Sequence, residues 1–176
     1  MQAISAKMAA LMRTKLIVAL AALVAGVAFS FIFFKESPAP EVIFATLTGE
    51  TFKTSQLRGK VVLVNFWATS CVSCVQEMPK MVETYRAYAP RGYETVAVAM
   101  SYDHPNQVAA FARDRALPFK VALDGSGEIA KGFGGVRGTP TSFLIDRRGR
   151  IVARFVGEPD WARFHATLDK VLAEPA

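Results

Sequence analysis

The sequence predicts an α/β domain with a mixed central sheet flanked by helices. Short apolar runs rich in β-branched and aromatic residues alternate with longer amphipathic stretches of helical period. The last two apolar runs are separated only by a polar turn at 146–149, and one further amphipathic stretch follows them. Alternating strands and helices that end in a hairpin and a helix are typical of such an α/β sandwich.

The predicted elements follow in order along the chain. Strands are expected in an N-terminal hairpin over 42–47 and 51–52, in single strands over 61–67, 93–100 and 119–123, and in a closing hairpin over 141–145 and 150–156. Helices are expected from the cysteine pair to about Tyr88, over 107–116 and 128–133, and over 161–172 after Asp160 as the N-cap. Pro79 lies inside the first helix, where a proline removes a backbone hydrogen bond and predicts a kink.

The N-terminal part of the chain predicts a membrane anchor. Residues 16–34 carry no charge and would span about 28 Å as a helix, close to the hydrocarbon thickness of a bilayer. Three basic residues precede this run, so residues 1–15 are expected in the cytoplasm, 35–41 as a linker, and 42–176 as an exported domain. In a bacterium this is a single-pass inner-membrane protein whose domain faces the periplasm.

A cleaved signal peptide is the alternative interpretation of the same stretch. Gly26-Val27-Ala28 would serve as a small-x-small cleavage site. The apolar run continues past it to Phe34, which is long for a signal peptide and favours the retained anchor.

The charge balance argues against a nucleic-acid partner. The chain carries a net charge of +6, of which the 17 basic and 14 acidic residues beyond residue 40 contribute half. These charges are scattered along the sequence, and no clustered basic stripe is visible.

Two cysteines, the only ones in the chain, follow the apolar run 61–67 directly. Cys71 is expected at the junction between a strand and a helix N-terminus, where free N–H groups and the helix dipole stabilise a thiolate and lower the pKa. Cys74 lies three residues further along, on the same side of the helix and within bonding reach. This arrangement predicts that Cys71 attacks a partner sulfur and that Cys74 resolves the mixed disulfide.

The setting of this pair favours a redox role over a structural one. On the exported side of the membrane a disulfide can persist. A disulfide that closes so short a loop constrains the unfolded chain less than a long-range one. We therefore expect the two cysteines to be a redox-active pair.

A second motif, Gly138-Thr139-Pro140, precedes the closing hairpin. Together with the cysteine motif it gives the sequence a resemblance to the thioredoxin superfamily, and most closely to the membrane-anchored TlpA/ResA/DsbE-type thiol–disulfide oxidoreductases. The resemblance covers roughly residues 39–172. Its motifs are Gly59-Lys60, Val64-Asn65-Phe66-Trp67-Ala68, Cys71-x-x-Cys74, Glu77-x-Pro79, Gly138-Thr139-Pro140 and Phe143-Leu144-Ile145-Asp146.

The resemblance implies a thioredoxin-like fold with an extra N-terminal hairpin, and it assigns the site. Cys71 is then the nucleophile and Cys74 the resolving thiol. Pro140 is cis, and Thr139 offers backbone groups to an extended substrate segment. Trp67 is a further substrate contact, and three residues support the site: Asn65, Glu77 and Pro79.

Several positions depart from the family pattern. Val72-Ser73 replaces a dipeptide that usually carries proline, and Asn65 stands where thioredoxins bury an aspartate. The family pattern places a proton-managing glutamate near Tyr102, where this chain has tyrosine followed by Asp103. From the residues alone, Glu77 could equally be an exposed helix carboxylate.

The resemblance also implies partners. Protein thiols and disulfides are the substrates, and a membrane thiol-transfer protein supplies electrons, with reduction of the partner favoured over oxidation. We expect a monomer that needs no cofactor beyond the Cys71–Cys74 disulfide and that touches the bilayer through residues 16–34. Apocytochrome c, a copper-centre assembly protein and misoxidised thiols all remain open as substrates.

Other conceivable uses of the cysteine pair are metal binding, haem attachment and peroxide reduction. A zinc site needs four ligands, and the two cysteines supply only two. His104 and His165 are not spaced to complete such a site, so we expect no metal site. Val75 follows Cys74, which excludes the haem-attachment pattern. A copper-binding module and a thiol peroxidase on the same fold are the alternatives that solution chemistry would distinguish.

Overall fold

The computed structural model describes residues 37–175, which form one compact unit. The predicted cytoplasmic segment 1–15 and anchor 16–34 lie outside the described residues. Within 37–175 no helix has the length and apolar character needed to cross a bilayer.

A six-stranded mixed sheet forms the centre of the domain, in the order β1-β8-β7-β4-β5-β6. β4 and β5 are parallel, as are β5 and β6, whereas β7 runs antiparallel to both β4 and β8. The hairpin β2–β3 is separate and joins β6 through a single bridge. The strands are β1 Ser37–Pro38, β2 Ile43–Ala45, β3 Thr51–Lys53, β4 Val61–Trp67, β5 Tyr93–Ala99, β6 Lys120–Leu123, β7 Thr141–Ile145 and β8 Arg150–Val156.

The central strands are buried on both faces, which explains their continuous apolar sequences. Every residue of β4 and of β5 is buried. Parallel strands covered by other elements on both faces need apolar side chains at successive positions rather than at alternate ones. The polar exceptions in these strands, such as Asn65, therefore call for a specific hydrogen-bond partner.

The two faces of the sheet are covered by different elements. Three helices pack on one face, with Met78, Val108 and Phe164 among the residues of that core. The β2–β3 hairpin and a short helix cover the other face through residues such as Phe44 and Ile129. The helices are α1 Val72–Tyr88, α2 Pro105–Asp114, α3 Glu128–Gly132 and α4 Trp161–Ala173, with 3₁₀ turns at Thr54–Leu57 and Ala89–Arg91.

Most element boundaries agree with the sequence prediction to within two residues. The thioredoxin-like α/β fold with its N-terminal hairpin is confirmed, and α1 continues through Pro79 to Tyr88. The difference lies at 37–41, predicted as part of a linker. Ser37 and Pro38 instead form an edge strand on β8, and the Ala39 amide donates to the Gly149 carbonyl at 2.9 Å. Pro38 has no N–H to donate. An edge strand tolerates this, because one side of its backbone has no neighbouring strand to pair with.

Candidate active site

Cys71 is the N-cap residue of α1, at the carboxyl end of the central strand β4. Its Sγ accepts a hydrogen bond from the Cys74 amide at 3.2 Å. The Ser73 hydroxyl lies 3.6 Å from the same sulfur and donates to it, since a disulfide sulfur has no proton. These donors and the positive end of the helix dipole all stabilise negative charge on Cys71 when the disulfide is reduced.

The two cysteines are joined as a disulfide, with their Cα atoms 5.2 Å apart. Cys74 is fully buried, whereas Cys71 is partly exposed. A partner can therefore reach the sulfur of Cys71 and not that of Cys74. The predicted roles, Cys71 as the attacking sulfur and Cys74 as the resolving one, require such an asymmetry.

A buried polar cluster lies behind the disulfide. The Asn65 side-chain amide donates to Glu77 Oε1 and to Ser142 Oγ, each at 2.9 Å. Glu77 is only 1% exposed, which corrects the alternative of a surface carboxylate. Since Glu77 follows Cys74 by three residues on α1, its carboxyl group lies on the same helical face as the resolving cysteine.

The pKa of Glu77 is raised from 4.5 to about 7. Burial away from water is the main cause, the hydrogen bond from Asn65 opposes it, and the negative charge of Glu158 adds to it. The void beside Glu77, lined also by Pro159 and Trp161, is too narrow to admit a water molecule. Glu77 Oε2 also has no partner within the described residues. Glu77 is therefore a carboxyl group that can take up or release a proton near neutral pH.

The Thr139–Pro140 peptide bond is cis, as the resemblance implied. The β4–β7 register places Thr141 opposite Phe66, so this loop lies at the same end of the sheet as Cys71. The Pro140 carbonyl accepts from the Gly157 amide at 2.8 Å. Within residues 37–175 the backbone N–H and C=O of Thr139 have no hydrogen-bond partner. These two groups are available to an extended segment of another chain.

The structure contradicts the expectation that Trp67 contacts a substrate. Its side chain is 0% exposed and packs on Phe111, with the ring centroids 5.1 Å apart. Trp67 is the last residue of a strand buried on both faces, which explains why it belongs to the core. The large apolar side chains that are exposed at this end of the sheet are Val72, Tyr102 and Val156, at 72%, 62% and 73%.

Sequence reasoning missed these exposed side chains as a group, because their positions converge only in the fold. Val72 begins α1, Tyr102 follows β5, and Val156 ends β8 opposite Thr141. The Tyr102 hydroxyl lies 3.4 Å from Thr139 Oγ1, which connects Tyr102 to the cis-proline loop. The only signal in the sequence was the presence of apolar residues just outside predicted strands and helices.

Asp103, considered as a substitute for the family's glutamate, has a different role. Its carboxylate accepts from the Thr69 amide and the Thr69 hydroxyl, both at 2.6 Å, and from the His104 amide at 3.0 Å. It therefore fixes the loop that leads into Cys71. The glutamate that the structure brings to the polar cluster at Asn65 is Glu77.

Pro79 and His165 take no part in the hydrogen bonds of the polar cluster at Asn65. Pro79 is an exposed residue inside α1. His165 Nε2 lies 2.8 Å from the Thr84 hydroxyl, on the interface between α1 and α4. Within the described part of the chain, no three histidine, cysteine or carboxylate side chains are grouped so that they could hold a metal ion.

A partly exposed cysteine at a helix N-terminus, a buried cysteine bonded to it, and a cis-proline loop on a thioredoxin-like fold define a dithiol–disulfide exchange protein. Comparison with known proteins agrees with this class. The chain matches the Redoxin family over residues 34–172 and belongs to that family.

Individual relatives extend the comparison. The chain is 36% identical over 133 residues to the thiol-disulfide oxidoreductase ResA of Bacillus thuringiensis subsp. konkukian (strain 97-27), covering 76% of each chain. It is 31% identical to ResA of Bacillus subtilis (strain 168), covering 73% of this chain and 71% of that one.

Solved structures show the same fold. A putative thioredoxin from Neisseria meningitidis superposes with a TM-score of 0.72 and 36% identity, over 77% of this chain and 91% of that one. A putative thiol:disulfide interchange protein DsbE from Chlorobium tepidum gives a TM-score of 0.72 and 32% identity, over 79% of this chain and 98% of that one.

Proposed function

We propose that this protein is a membrane-tethered, extracytoplasmic thiol–disulfide oxidoreductase that reduces disulfides of partner proteins. The observation that carries the proposal is the asymmetry of the two sulfurs at the start of α1. Cys71 is accessible and supported by N–H donors, while Cys74 is buried and shares a helical face with a carboxyl group that titrates near neutral pH.

The reaction begins with the reduced protein. The Cys71 thiolate attacks one sulfur of the partner disulfide, which forms a mixed disulfide and releases the other partner sulfur as a thiolate that takes a proton. Thr139 supports this step by offering its free backbone groups to the partner segment, and the neighbouring apolar side chains of Val72, Tyr102 and Val156 contact it.

Cys74 then completes the exchange. Its thiol loses a proton to the Glu77 carboxylate, and the resulting thiolate attacks Cys71 Sγ. The Cys71–Cys74 disulfide forms, the bond to the partner breaks, and the second partner sulfur leaves as a thiolate. Two electrons pass from this protein to the partner, and a dithiol donor, for which a membrane thiol-transfer protein is suited, must restore the reduced form.

The proposed location follows from the sequence outside the described residues and from the relatives. The charge-free stretch 16–34 has the length of a bilayer anchor and basic residues before it. The relatives compared above are bacterial proteins. We infer a single-pass protein of the bacterial inner membrane whose domain faces the periplasm, where partner disulfides form.

Trapping of partners tests the mechanism. Cys74→Ser removes the resolving thiol, so Cys71 should accumulate covalent adducts with a model protein disulfide that disappear on treatment with dithiothreitol. Cys71→Ser is the matched control and should form none. Equal adducts with both variants, or none with either, would overturn the assignment. A reduction potential near −270 mV supports a reductant, and one near −120 mV an oxidant.

A further inference from the structure

The cover over the buried carboxyl group of Glu77 is thinnest where the chain passes from β8 into α4. Two of the described residues that line the void beside Glu77, Pro159 and Trp161, are partly exposed. The others are buried in the core: Leu63, Met81, Ser142 and Phe164. The most direct way from solvent to the Glu77 carboxyl group therefore passes between Pro159 and Trp161.

The loop between β8 and α4 is fixed at both ends. At its start the Gly157 amide donates to the Pro140 carbonyl at 2.8 Å. At its end Asp160 caps α4, where its side chain accepts from a backbone amide of the first helical turn at 2.9 Å. A motion that uncovers Glu77 is therefore confined to the two residues between these points and to the side chain of Trp161.

One hydrogen bond holds the polar edge of the Trp161 ring. Its Nε1 donates to Glu158 Oε1 at 2.9 Å. The apolar part of the ring meets Phe164 edge-on, with the ring centroids 5.6 Å apart. Because Glu158 is exposed and Trp161 only partly buried, this bond can break without loss of the core. The indole ring can then turn away from the void while the backbone of α4 stays in place.

Proton exchange at Glu77 requires such an opening. Within the described residues, Glu77 Oε2 and Asn65 Oδ1 have no hydrogen-bond partner, so neither atom is connected to the surface by a chain of protein groups. The void beside Glu77 is too narrow for water in this arrangement. Local opening of a few residues is the usual way in which solvent reaches such a group.

We propose that Glu158 is a positioning residue that holds Trp161 over the void, so that Glu77 exchanges protons with solvent only when the hydrogen bond between Glu158 and Trp161 opens. This inference rests on the proposed role of Glu77 as acceptor of the Cys74 proton, because that proton must reach solvent before the next reaction cycle. The other side chains that line the void are uncharged. Glu158 is the charged group that acts on Glu77, and it adds to the raised pKa.

Carbon-13 NMR of the Glu77 carboxyl group measures this exchange directly. The oxidised full chain, purified in detergent and labelled at the glutamate Cδ atoms, is titrated through the Glu77 pKa of about 7. The Glu77 signal is identified by its loss in Glu77→Gln. Relaxation dispersion at half-titration gives the exchange rate. Dividing that rate by twice the proton concentration gives the rate constant for protonation, which reports access to the group separately from shifts of its pKa.

Three variants separate the hydrogen bond from the charge. Glu158→Ala and Trp161→Phe both remove the bond, and each should raise the protonation rate constant about fivefold. Glu158→Gln removes the charge but keeps an oxygen that accepts from the indole N–H. Because a neutral acceptor bonds less strongly than a carboxylate, this variant should raise the constant only about twofold. Glu83→Ala removes an exposed carboxylate elsewhere on α1 and should leave the constant unchanged.

Two kinds of result would overturn the inference. One is a protonation rate constant that stays at the wild-type value in Glu158→Ala, in Trp161→Phe or in both. The other is an equal rise in Glu158→Gln and Glu158→Ala, which would assign the effect to the charge. The NMR experiment uses the oxidised protein without a partner, and trapping by Cys74→Ser needs no proton transfer to Glu77. A failure of this inference therefore remains distinguishable from a failure of thiol exchange.

Discussion

Replacing Glu77 with glutamine removes a carboxyl group that folding transfers from water into the core. Glutamine keeps the shape of the side chain and an oxygen that can accept from Asn65. The pKa of Glu77 rises from 4.5 to about 7 on folding. Since one pKa unit corresponds to about 1.4 kcal/mol, keeping this group ionised in the folded state costs about 3 kcal/mol.

The sign of the effect follows from proton linkage. Between about pH 4.5 and pH 7 the unfolded chain has lost this proton while the folded protein retains it. The contribution of Glu77 therefore makes the folded state less stable as pH rises through this window. Glu77→Gln should be about as stable as wild type near pH 4.5, and more stable by about 3 kcal/mol above pH 7.

Urea unfolding of residues 37–176, with the disulfide intact so that no thiol titrates, measures this difference. Glu83→Gln is the matched control on the same helix, because Glu83 is exposed and its pKa is lowered by Lys80. Its effect should be small and of opposite sign, a slight loss of stability at higher pH. Wild-type and Glu77→Gln stability curves that stay parallel from pH 4.5 to pH 8 would refute the reasoning.

Two further substitutions test how the site is held and how it meets partners. Asp103→Asn weakens the charged acceptor of both Thr69 hydrogen bonds, so the domain should lose about 1.5–3 kcal/mol of stability in urea unfolding. Unchanged stability would show that Asp103 does not hold the loop. Tyr102→Ala removes an exposed side chain next to Thr139, and should lower kcat/KM for a protein disulfide about fivefold, corresponding to about 1 kcal/mol of lost apolar contact. Its rate with a small disulfide should not change, and an equal fall with both substrates would contradict the role in partner contact.

The strands and the cysteine pair could be predicted because their signals are local. The run that became β4 is apolar at nearly every position, as a strand covered on both faces requires, and Cys71 follows it directly. The hairpin that ends the sheet is marked by the polar turn between its strands. Such signals depend only on neighbouring residues, so no knowledge of the fold was needed.

The buried polar cluster behind the disulfide depends on contacts between distant residues. Asn65 and Ser142 are separated by 77 positions, yet they meet beside Glu77 because β4 and β7 are neighbours in the sheet. The sequence of α1 does not reveal that Glu77 faces inward, since a buried glutamate is rare without a partner. The family pattern named Glu77, but only the packing shows that its carboxyl group is buried, which raises its pKa.

At Trp67 and at Ser37–Pro38, an interpretation based on the neighbouring sequence was wrong. A tryptophan next to a catalytic loop resembles a substrate contact, but it is the last residue of a buried strand. The proline-bearing stretch after Glu36 resembles a linker, but its backbone pairs with the exposed edge of β8. In both cases residues distant in the sequence decided the outcome: Phe111 covers Trp67, and β8 pairs with Ser37–Pro38.

Alkylation of the reduced protein tests the central claim, that the helix start activates Cys71 while Cys74 stays protected until a mixed disulfide forms. Iodoacetamide labelling is followed site by site as a function of pH by mass spectrometry. Cys71 should react first, with a half-maximal rate below about pH 8.5, the ordinary midpoint of a cysteine thiol, and Cys74 should react only slowly in the folded state. Preferential labelling of Cys74, or equal labelling of both cysteines with a midpoint at pH 8.5 or above, would contradict the account.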